Sequence, residues 1–425
     1  MFHEIMLDIK FIRENPKLIK EGAKKKGADV NIDELLGIDK KRRELLRAFE
    51  DMNAQKSTGT VSIQKAKSQK EKDTVILKMR ELDSNSDRLN KDLESIEKEF
   101  NNLMLQIPNP PFSDVPLGKS DKENKVLEEI GEKTKFDFKP KDYLQIAEKF
   151  DLIDTQRAAK IAGTRFGFIK RQAALLEFAL INFAFEKLVK KGFVPVIPPV
   201  MLKGEMARGM GYLEQINKDE AYFLEKDNLY LAATAEQPLG TMHSDEILNE
   251  EDLPRRYAGF STCFRRESGS YGKDTKGIFR VHQFDKIEMF SYCLPADSKK
   301  EHQFLLSLEK ELMDDLKIPY RVINICTGDL GFPAAAKYDI EAWIPSENRY
   351  RETHSTSNCT DFQARRLNIR YKKKSGGLGF LHTLNGTAFA IGRTLIAIIE
   401  NYQQKDGSVL IPDILQKYIS FKIIK

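Results

Sequence analysis

The spacing of apolar residues in the first quarter of the chain indicates a coiled coil. From residue 75 to 103 apolar positions alternate at steps of four and three, with Ser86 as the single polar member. A shorter run between Ile38 and Met52 has the same rhythm, with Arg42 as the exception. This alternation is the seam of packed helices. It predicts two long antiparallel helices over about 31–105, joined at a polar tip over about 56–72. The apolar members of the second run are Val75, Met79, Leu82, Leu89, Leu93, Ile96, Phe100 and Leu103.

The charges of this predicted arm balance overall, and its excess of positive charge lies at the tip. Residues 56–72 contain five lysines and one glutamate, and residues 10–26 contain seven lysines or arginines and two glutamates. The net charge of the whole chain is only +5. A basic patch on an otherwise balanced rod favours contact with a phosphate backbone. A dimerisation coil or a simple spacer stays open as an alternative.

A proline-rich segment, Ile107–Gly118, ends the arm and predicts a boundary between domains at 1–115 and 116–425. An amphipathic helix over 169–191 follows, and then several strand-like runs with no helices between them. This order predicts an α+β domain, in which a mainly antiparallel sheet is flanked by helices. The apolar stretch that begins at Thr387 is predicted to be a helix.

Composition narrows the class of protein. The chain has 425 residues, of which 41% are hydrophobic and 31% are charged, so we expect a folded, soluble protein of more than one domain. The first ten residues contain acids and lack the apolar core of a signal peptide, which predicts a cytoplasmic protein without membrane contact. The four cysteines lie at least 30 residues apart, so we expect reduced thiols and no zinc site.

Candidate chemistry is densest in residues 263–290. Residues two or four apart on a strand share a face, so Phe284 would lie beside Glu288, and Arg265 beside Glu267. An arginine is suited to phosphate oxygens, and an aromatic ring can stack on a purine. The glycine-rich motifs of P-loop and Rossmann nucleotide sites do not occur in the sequence. The alternative is a solvated sheet face whose charges are paired across strands.

This segment, about 257–290, resembles motif 2 of the class II aminoacyl-tRNA synthetases. The segment about 175–201, with Pro199, resembles motif 1, which forms the dimer interface in that class. The segment about 383–403, with Arg393, resembles motif 3. The TAE sequence at 234–236 resembles the serine-binding loop of the seryl-tRNA synthetase family, and the arm resembles the tRNA-binding domain of that family. The resemblance covers nearly the whole chain.

The resemblance implies an ATP-dependent ligase. Such an enzyme converts L-serine and ATP to seryl-adenylate and pyrophosphate, and then transfers serine to tRNA(Ser), with tRNA(Sec) as a further candidate acceptor. It also implies a cytoplasmic homodimer that uses Mg²⁺ together with ATP.

The resemblance further assigns roles to individual residues. Arg265 would be catalytic, because it would bind the α-phosphate, and Phe284 and Arg393 would enclose the adenine. Glu352 and Ser355 would bind Mg²⁺. The sequence departs from the usual family pattern at Thr353 and His354, and Thr387 replaces a common serine. The implied serine-binding residues are Thr234, Ala235, Glu236, Glu288 and Thr387. The implied ATP-binding residues are Arg265, Arg266, Glu267, Val281, Phe284, Glu352, Thr353, His354, Ser355 and Arg393.

Three other hypotheses were weighed. A class II relative for threonine or glycine would fit the fold, but Glu288 and the 234–236 loop argue against it. An inactive paralogue that only binds RNA would be expected to lack Arg265, Glu352 or Arg393, and all three are present. A purely structural coiled-coil protein would leave the motifs of the second domain unexplained.

Overall fold

The computed structural model describes residues 8–213, 220–268, 274 and 276–425. The described chain forms two compact units, one made of Asp8–Lys24 and Ala28–Pro108, the other of Lys25–Gly27 and Asn109–Lys425. We call them the helical unit and, after the ligase activity that the resemblance implies, the catalytic unit. The helices are α1 Ile9–Glu14, α2 Pro16–Lys25, α3 Ile32–Lys65, α4 Gln69–Leu105, α5 Tyr143–Lys149, α6 Thr155–Ala162, α7 Arg171–Lys190, α8 Gly204–Gly209, α9 Glu236–Thr241, α10 Ser298–Leu316, α11 Phe362–Arg366 and α12 Ile391–Asn401.

The strands are short at the edges of the catalytic unit and longest at its centre. They are β1 Lys125–Ile130, β2 Ile153–Asp154, β3 Phe168–Ile169, β4 Val194–Val196, β5 Met201–Lys203, β6 Phe223–Leu224, β7 Leu229–Leu231, β8 Ile247–Asn249, β9 Arg255–Phe264, β10 Gln283–Cys293, β11 Tyr320–Asn324, β12 Ala336–Ile344, β13 Arg349–Asn358, β14 Arg370–Lys372, β15 Leu378–Phe380, β16 His382–Ala390, β17 Val409–Leu410 and β18 Ile423–Ile424.

The predicted pair of long helices is confirmed as α3 and α4, and the tip is tighter than expected. The two helices are separated by only residues 66–68, so most of the expected polar tip is helical. Each helix begins with a side-chain cap, since Asn31 accepts from the backbone N–H of Glu34 and Ser68 from that of Glu71. The polar composition of residues 56–72 therefore does not indicate irregular structure.

The packing between the two helices accounts for Ser86 and Arg42, the two polar residues of the seam. Ser86 is buried in line with Leu93 and Phe100, where its side chain is small enough for the two helices to pack over it. The guanidinium of Arg42 lies 5.0 Å from the centre of the Phe100 ring. Its Nη2 is 3.5 Å from a carboxylate oxygen of Glu97. Arg42 therefore contacts the aromatic face and keeps its charge beside an acid.

Alanine substitutions at two leucines of α4 test how much the seam contributes to the free energy of unfolding. Leu93 is 8% exposed and Leu77 is 61% exposed. We expect Leu93→Ala to cost about 2–4 kcal/mol of arm stability, because it leaves a cavity. Leu77→Ala should change it by less than about 0.5 kcal/mol. Urea unfolding followed by circular dichroism at 222 nm measures both, and equal shifts would contradict the assigned seam.

The catalytic unit is built on an eight-stranded sheet of order β1-β11-β12-β13-β16-β10-β9-β4. Every neighbouring pair in it is antiparallel except β4 with β9. The mainly antiparallel sheet predicted from the order of strands is therefore confirmed. Helices α7, α10 and α12 contribute to one large apolar core on the sheet, which includes Ile287 and Met289 of β10. In the described part of the chain, no helix is long and apolar enough to cross a membrane.

Two local predictions were wrong. Residues 387–390 form the end of strand β16 and not the start of a helix, because they pair with β10 through Glu288↔Thr387 and Lys286↔Ala390. A short apolar run fits either structure, and here strand pairing decides. Arg265 and Glu267 lie just beyond β9, which ends at Phe264, and not on a shared strand face.

Candidate active site

A cavity of about 260 Å³ opens on the sheet face opposite the helical core. Side chains alternate along β10, so Ile287 and Met289 enter the core while Lys286 and Glu288 line the cavity. Strands β13 and β16, the start of α12 and the segment 331–334 complete the wall. The fold thus places polar side chains of three central strands around one space.

One end of the cavity is a buried acidic site. Glu236, at the start of α9, is 5% exposed. One of its carboxylate oxygens accepts from the Tyr212 hydroxyl at 2.5 Å and the other from the Gln363 amide at 3.1 Å. The Thr234 hydroxyl accepts from the backbone N–H of Glu236 at 3.2 Å. These hydrogen bonds fix the position of the Glu236 carboxylate, and the resulting site is suited to an ammonium ligand.

A second buried carboxylate, that of Glu288, lies on the floor of the cavity. It is 1% exposed and is paired with the ammonium of Lys286, two residues earlier on β10. The Thr387 hydroxyl lies across the strand pair, 3.4 Å from its Oε2. Burial raises the pKa of Glu288, and the charge of Lys286 opposes this rise. Because a buried charge needs compensation, the ammonium of Lys286 stabilises the ionised form of the Glu288 carboxylate.

A bulge on β13 brings Glu352 and Ser355 to the same side. Residues three apart on a regular strand face opposite ways. Here the register with β12 shifts, with Ile340 opposite His354 and Glu341 opposite Glu352, so Thr353 is the extra residue. Glu352, Thr353 and Ser355 all line the cavity as a result.

Arg393, in the first turn of α12, binds this bulge. Its Nη1 lies 3.1 Å from the carbonyl oxygen of Glu352 and 3.2 Å from the carboxylate Oε1. The protein surroundings disfavour the charged form of Glu352. The positive charges of Arg393, Lys337 and Arg265 outweigh this and lower its pKa to about 2. Glu352 is therefore an ionised oxygen donor throughout the physiological pH range.

The other end of the cavity combines arginines with aromatic rings. The Arg265 guanidinium lies 5.2 Å from the centre of the Phe284 ring, and its Nε donates to the carbonyl of Ala233 at 3.1 Å. Arg393 lies 4.9 Å from the centre of the Phe279 ring. Glu267 has a φ of 51°, in the left-handed region, and accepts from Arg280 Nη1 at 3.0 Å. The arginines at this end of the cavity are suited to phosphate oxygens, and the aromatic rings are suited to a planar base.

Three residues assigned by resemblance do not line the cavity. Ala235 is fully buried before α9. Arg266 is exposed, with its guanidinium 5.1 Å from the centre of the Tyr222 ring. His354 is buried on the other side of β13 against Phe389, and burial lowers its pKa to about 4, so it is neutral. The residues from the assigned set that line the cavity are Thr234, Glu236, Arg265, Glu267, Val281, Phe284, Glu288, Glu352, Thr353, Ser355, Thr387 and Arg393.

The sequence arguments missed several residues in the cavity wall or directly behind it. Lys286 carried a usable signal, because it lies midway between Phe284 and Glu288 on one strand face. Tyr212 and Gln363 carried none, since they come from a loop and a short helix far from any motif. Cys359 is fully buried and also borders the cavity. All four cysteines are buried and form no disulfide.

A second cavity of about 320 Å³ shares Val281 and Phe284 with the first. Its wall includes two neighbouring acids, Glu177 of α7 and Asp285 of β10. Burial and a hydrogen bond with Asp285 raise the pKa of Glu177 to about 8. The folded protein therefore binds a proton here that the unfolded chain releases near pH 4.5.

This retained proton predicts a pH-dependent effect of Glu177→Gln. A raised carboxyl pKa gives stability that is complete below about pH 4.5 and is lost as the pH rises through 8. The variant should match the parent at pH 5 and be more stable at pH 9, by on the order of 2 kcal/mol. Thermal unfolding at both pH values measures the difference.

Glu186 on the same helix provides the control. Hydrogen bonds from Lys190 and Lys417 lower its pKa to about 2, so Glu186→Gln should bring no gain at pH 9. Parallel stability curves for Glu177→Gln and the parent would show that Glu177 does not retain its proton.

Comparison with known proteins places these features in a family. The family described as "tRNA synthetase class II core domain (G, H, P, S and T)" matches residues 222–402, and "Seryl-tRNA synthetase N-terminal domain" matches residues 6–111. The serine–tRNA ligase of Thermobifida fusca is 44% identical over 420 residues, which cover 99% of each chain. That of Dictyoglomus thermophilum is 45% identical over 423 residues, again covering 99% of each chain.

Solved structures agree with these relatives. A seryl-tRNA synthetase from Pyrococcus horikoshii, complexed with ATP, superposes with a TM-score of 0.91 at 41% identity and 99% coverage of both chains. A cytoplasmic serine–tRNA ligase from Naegleria fowleri, in complex with AMP, gives 0.87 at 34% identity and covers 100% of this chain and 99% of that one.

The antiparallel sheet with its arginine-lined cavity is thus that of a class II aminoacyl-tRNA synthetase. The helical unit and the full-length similarity narrow the assignment. The chain belongs to the seryl-tRNA synthetase family. It is an ATP-dependent ligase that joins serine to tRNA, as the resemblance implied.

Proposed function

We propose that the cavity binds L-serine at its acidic end and ATP at its arginine-lined end, and condenses them to seryl-adenylate. One observation carries the proposal. Two buried carboxylates, Glu236 and Glu288, line the same cavity as Arg265 and Arg393. An amino acid needs acids around its ammonium group, and a nucleotide needs cations around its phosphates. Both requirements are met within one space.

Serine selection rests on the two acids and the hydroxyls beside them. The serine ammonium would bind near Glu236 and Thr234, whose positions are fixed by the hydrogen bonds described above. The serine hydroxyl would bind Glu288 and Thr387. A buried polar site rejects an analogue that leaves it unpaired, by as much as ~10⁴-fold, which would exclude alanine. Threonine keeps the hydroxyl, so its rejection depends on space for one methyl group.

The first step would depend on positioning of serine and ATP and on neutralisation of the phosphate charge. A serine carboxylate oxygen attacks the α-phosphorus of ATP, and the bond to pyrophosphate breaks. Arg265 would bind the α-phosphate, where negative charge accumulates in the transition state. Phe284 and Arg393 would enclose the adenine, with Glu267 accepting from its amino group. Val281 and Thr353 would border the nucleotide, and Ala235 would act through its backbone. Arg266 and His354 keep their proposed ATP contacts only if they move from their present positions.

Two residues of the bulge have the right chemistry for Mg²⁺. Within the described residues, no group of three or more His, Cys, Asp or Glu side chains is placed to hold a metal. Glu352 and Ser355 instead offer an ionised carboxylate and a hydroxyl, which suits an ion held largely by phosphates and water. Bound Mg²⁺ would neutralise phosphate charge, and Glu352 would exchange its bond to Arg393 for the ion.

The second step transfers serine to RNA. The 3′-terminal hydroxyl of tRNA attacks the seryl carbonyl carbon, and AMP leaves. We propose tRNA(Ser) as the acceptor, with tRNA(Sec) as a further acceptor to be tested in the same assay. The basic end of the arm, around 56–72, would contact the RNA backbone.

We further propose a cytoplasmic homodimer. The segment about 175–201 exposes large apolar side chains, with Leu175 at 50%, Phe178 at 63% and Ile197 at 83% exposure. Exposed apolar side chains clustered along one segment are typical of an interaction surface. A second copy of the chain is the occupant that the motif 1 resemblance suggests.

ATP–pyrophosphate exchange without tRNA tests the first step. We expect exchange that depends on serine and far exceeds that with threonine, alanine or glycine. Glu288→Gln should reduce it by at least ~100-fold in kcat/KM for serine, because Lys286 loses its partner and the hydroxyl site loses its charge. Exchange with another amino acid in place of serine would contradict the pocket assignment. No exchange from folded protein with Mg²⁺ would favour an inactive RNA-binding paralogue.

Deleting the arm tests the second step. Replacing residues 33–104 by a short flexible linker should spare serine-dependent exchange and abolish serylation of tRNA. The deletion retains every residue that lines the cavity. Unchanged serylation would contradict the proposed role of the arm, and lost exchange would mean that the arm also supports the catalytic unit.

A further inference from the structure

A lysine far from every recognised motif lies behind the wall of the cavity. The Lys26 ammonium donates to the backbone carbonyls of Gly331, Phe332 and Ala334 at 2.9, 3.1 and 2.6 Å. Residues 25–27 belong to the catalytic unit, whereas the residues on either side of them in sequence belong to the helical unit. Three carbonyls of one short segment thus share one cation.

The segment that Lys26 binds forms part of the acidic end of the cavity. All four residues of 331–334 line the cavity. A Cβ atom built on Gly211 would lie 3.5 Å from Cβ of Pro333, so the segment packs beside Gly211. The next residue, Tyr212, donates to Glu236 at 2.5 Å. A continuous set of contacts therefore leads from Lys26 to the carboxylate at which serine is proposed to bind.

Asn109 binds the same segment beside Lys26. Its side-chain amide donates to the carbonyls of Pro333 and Cys359, each at 2.8 Å, and its backbone N–H donates to Phe332 at 3.1 Å. The four consecutive carbonyls from 331 to 334 thus all accept hydrogen bonds from Lys26 or Asn109. A segment outside any strand depends on such donors, because an unpaired backbone carbonyl shielded from water costs free energy.

The three acceptors match the ammonium form of lysine. An ammonium group has three N–H donors and a neutral amine has two, so only the charged form satisfies all three carbonyls. Burial lowers the pKa of Lys26 to about 7, which opposes this preference. An arginine keeps the charge at any pH and is therefore the conservative replacement.

We propose that Lys26 is a positioning residue for the serine site. Resting on the proposed function, its role is to hold the 331–334 wall against Gly211 so that Tyr212 keeps Glu236 in place. ATP binds at the other end of the cavity, among Arg265, Phe284 and Arg393. Loss of Lys26 therefore acts on serine and leaves ATP binding largely intact.

Steady-state exchange kinetics test the proposal with three variants. Lys26→Gln should raise the KM for serine about tenfold, the equivalent of one weakened hydrogen bond to a charged group, and leave the KM for ATP within about twofold. Lys26→Arg should recover most of the loss, because it keeps the charge and the donors. Lys25→Gln removes an exposed charge from the neighbouring position and should behave like the parent.

The outcomes separate this inference from the proposed function. If the parent shows no serine-dependent exchange, the proposed function fails. If the parent exchanges serine normally and Lys26→Gln has an unchanged KM for serine, the positioning role is overturned. Equal rises in both KM values with a lowered melting temperature would also overturn it, because they indicate general destabilisation. Should Lys26→Gln fail to fold, Asn109→Ala probes the same wall and must give the same serine-selective change.

Discussion

The site depends on balancing the charges of the carboxylates that line one cavity. Glu236 and Glu288 are almost fully buried, and an isolated buried carboxylate would take up a proton or destabilise the fold. Glu288 is balanced by Lys286, and Glu352 by Arg393. Tyr212 and Gln363 give Glu236 hydrogen bonds but no charge, which leaves this acid ready for a cationic ligand. The ammonium group of the proposed serine ligand would supply a positive charge there, so that binding and neutralisation would be one event.

The antiparallel sheet makes this balance possible, because strand geometry separates the two kinds of side chain. In the centre of β10, Ile287 and Met289 enter the apolar core, and Lys286 and Glu288 form the cavity floor. The pairing of Glu288 with Thr387 then places an acid and a hydroxyl side by side from segments about a hundred residues apart. On the far face, α7 and α10 pack against the sheet, and α12 packs there too but begins at the cavity, where it supplies Arg393.

Sequence alone predicted those parts whose cause is local. The arm followed from its heptads, the antiparallel sheet from the succession of strands, and twelve of the cavity residues from the resemblance of the motifs. Tyr212, Gln363 and Lys26 could not be predicted, because each acts through tertiary contacts that the spacing of residues along the sequence does not indicate. The start of α12 was placed too early because strand pairing, which is non-local, claims residues 387–390. The expected strand positions of Arg265 and Glu267 were wrong because β9 ends one residue earlier.

The bulge at Thr353 has a consequence for how this strand tolerates change over evolutionary time. The additional residue reverses which side of the sheet each later side chain of β13 faces. Glu352 and Ser355 therefore both reach the cavity only because the strand contains this residue. A substitution at 353 alters one side chain, whereas a deletion there would turn either the acid or the hydroxyl into the core. The site therefore constrains the length of β13 as well as the identities of Glu352 and Ser355.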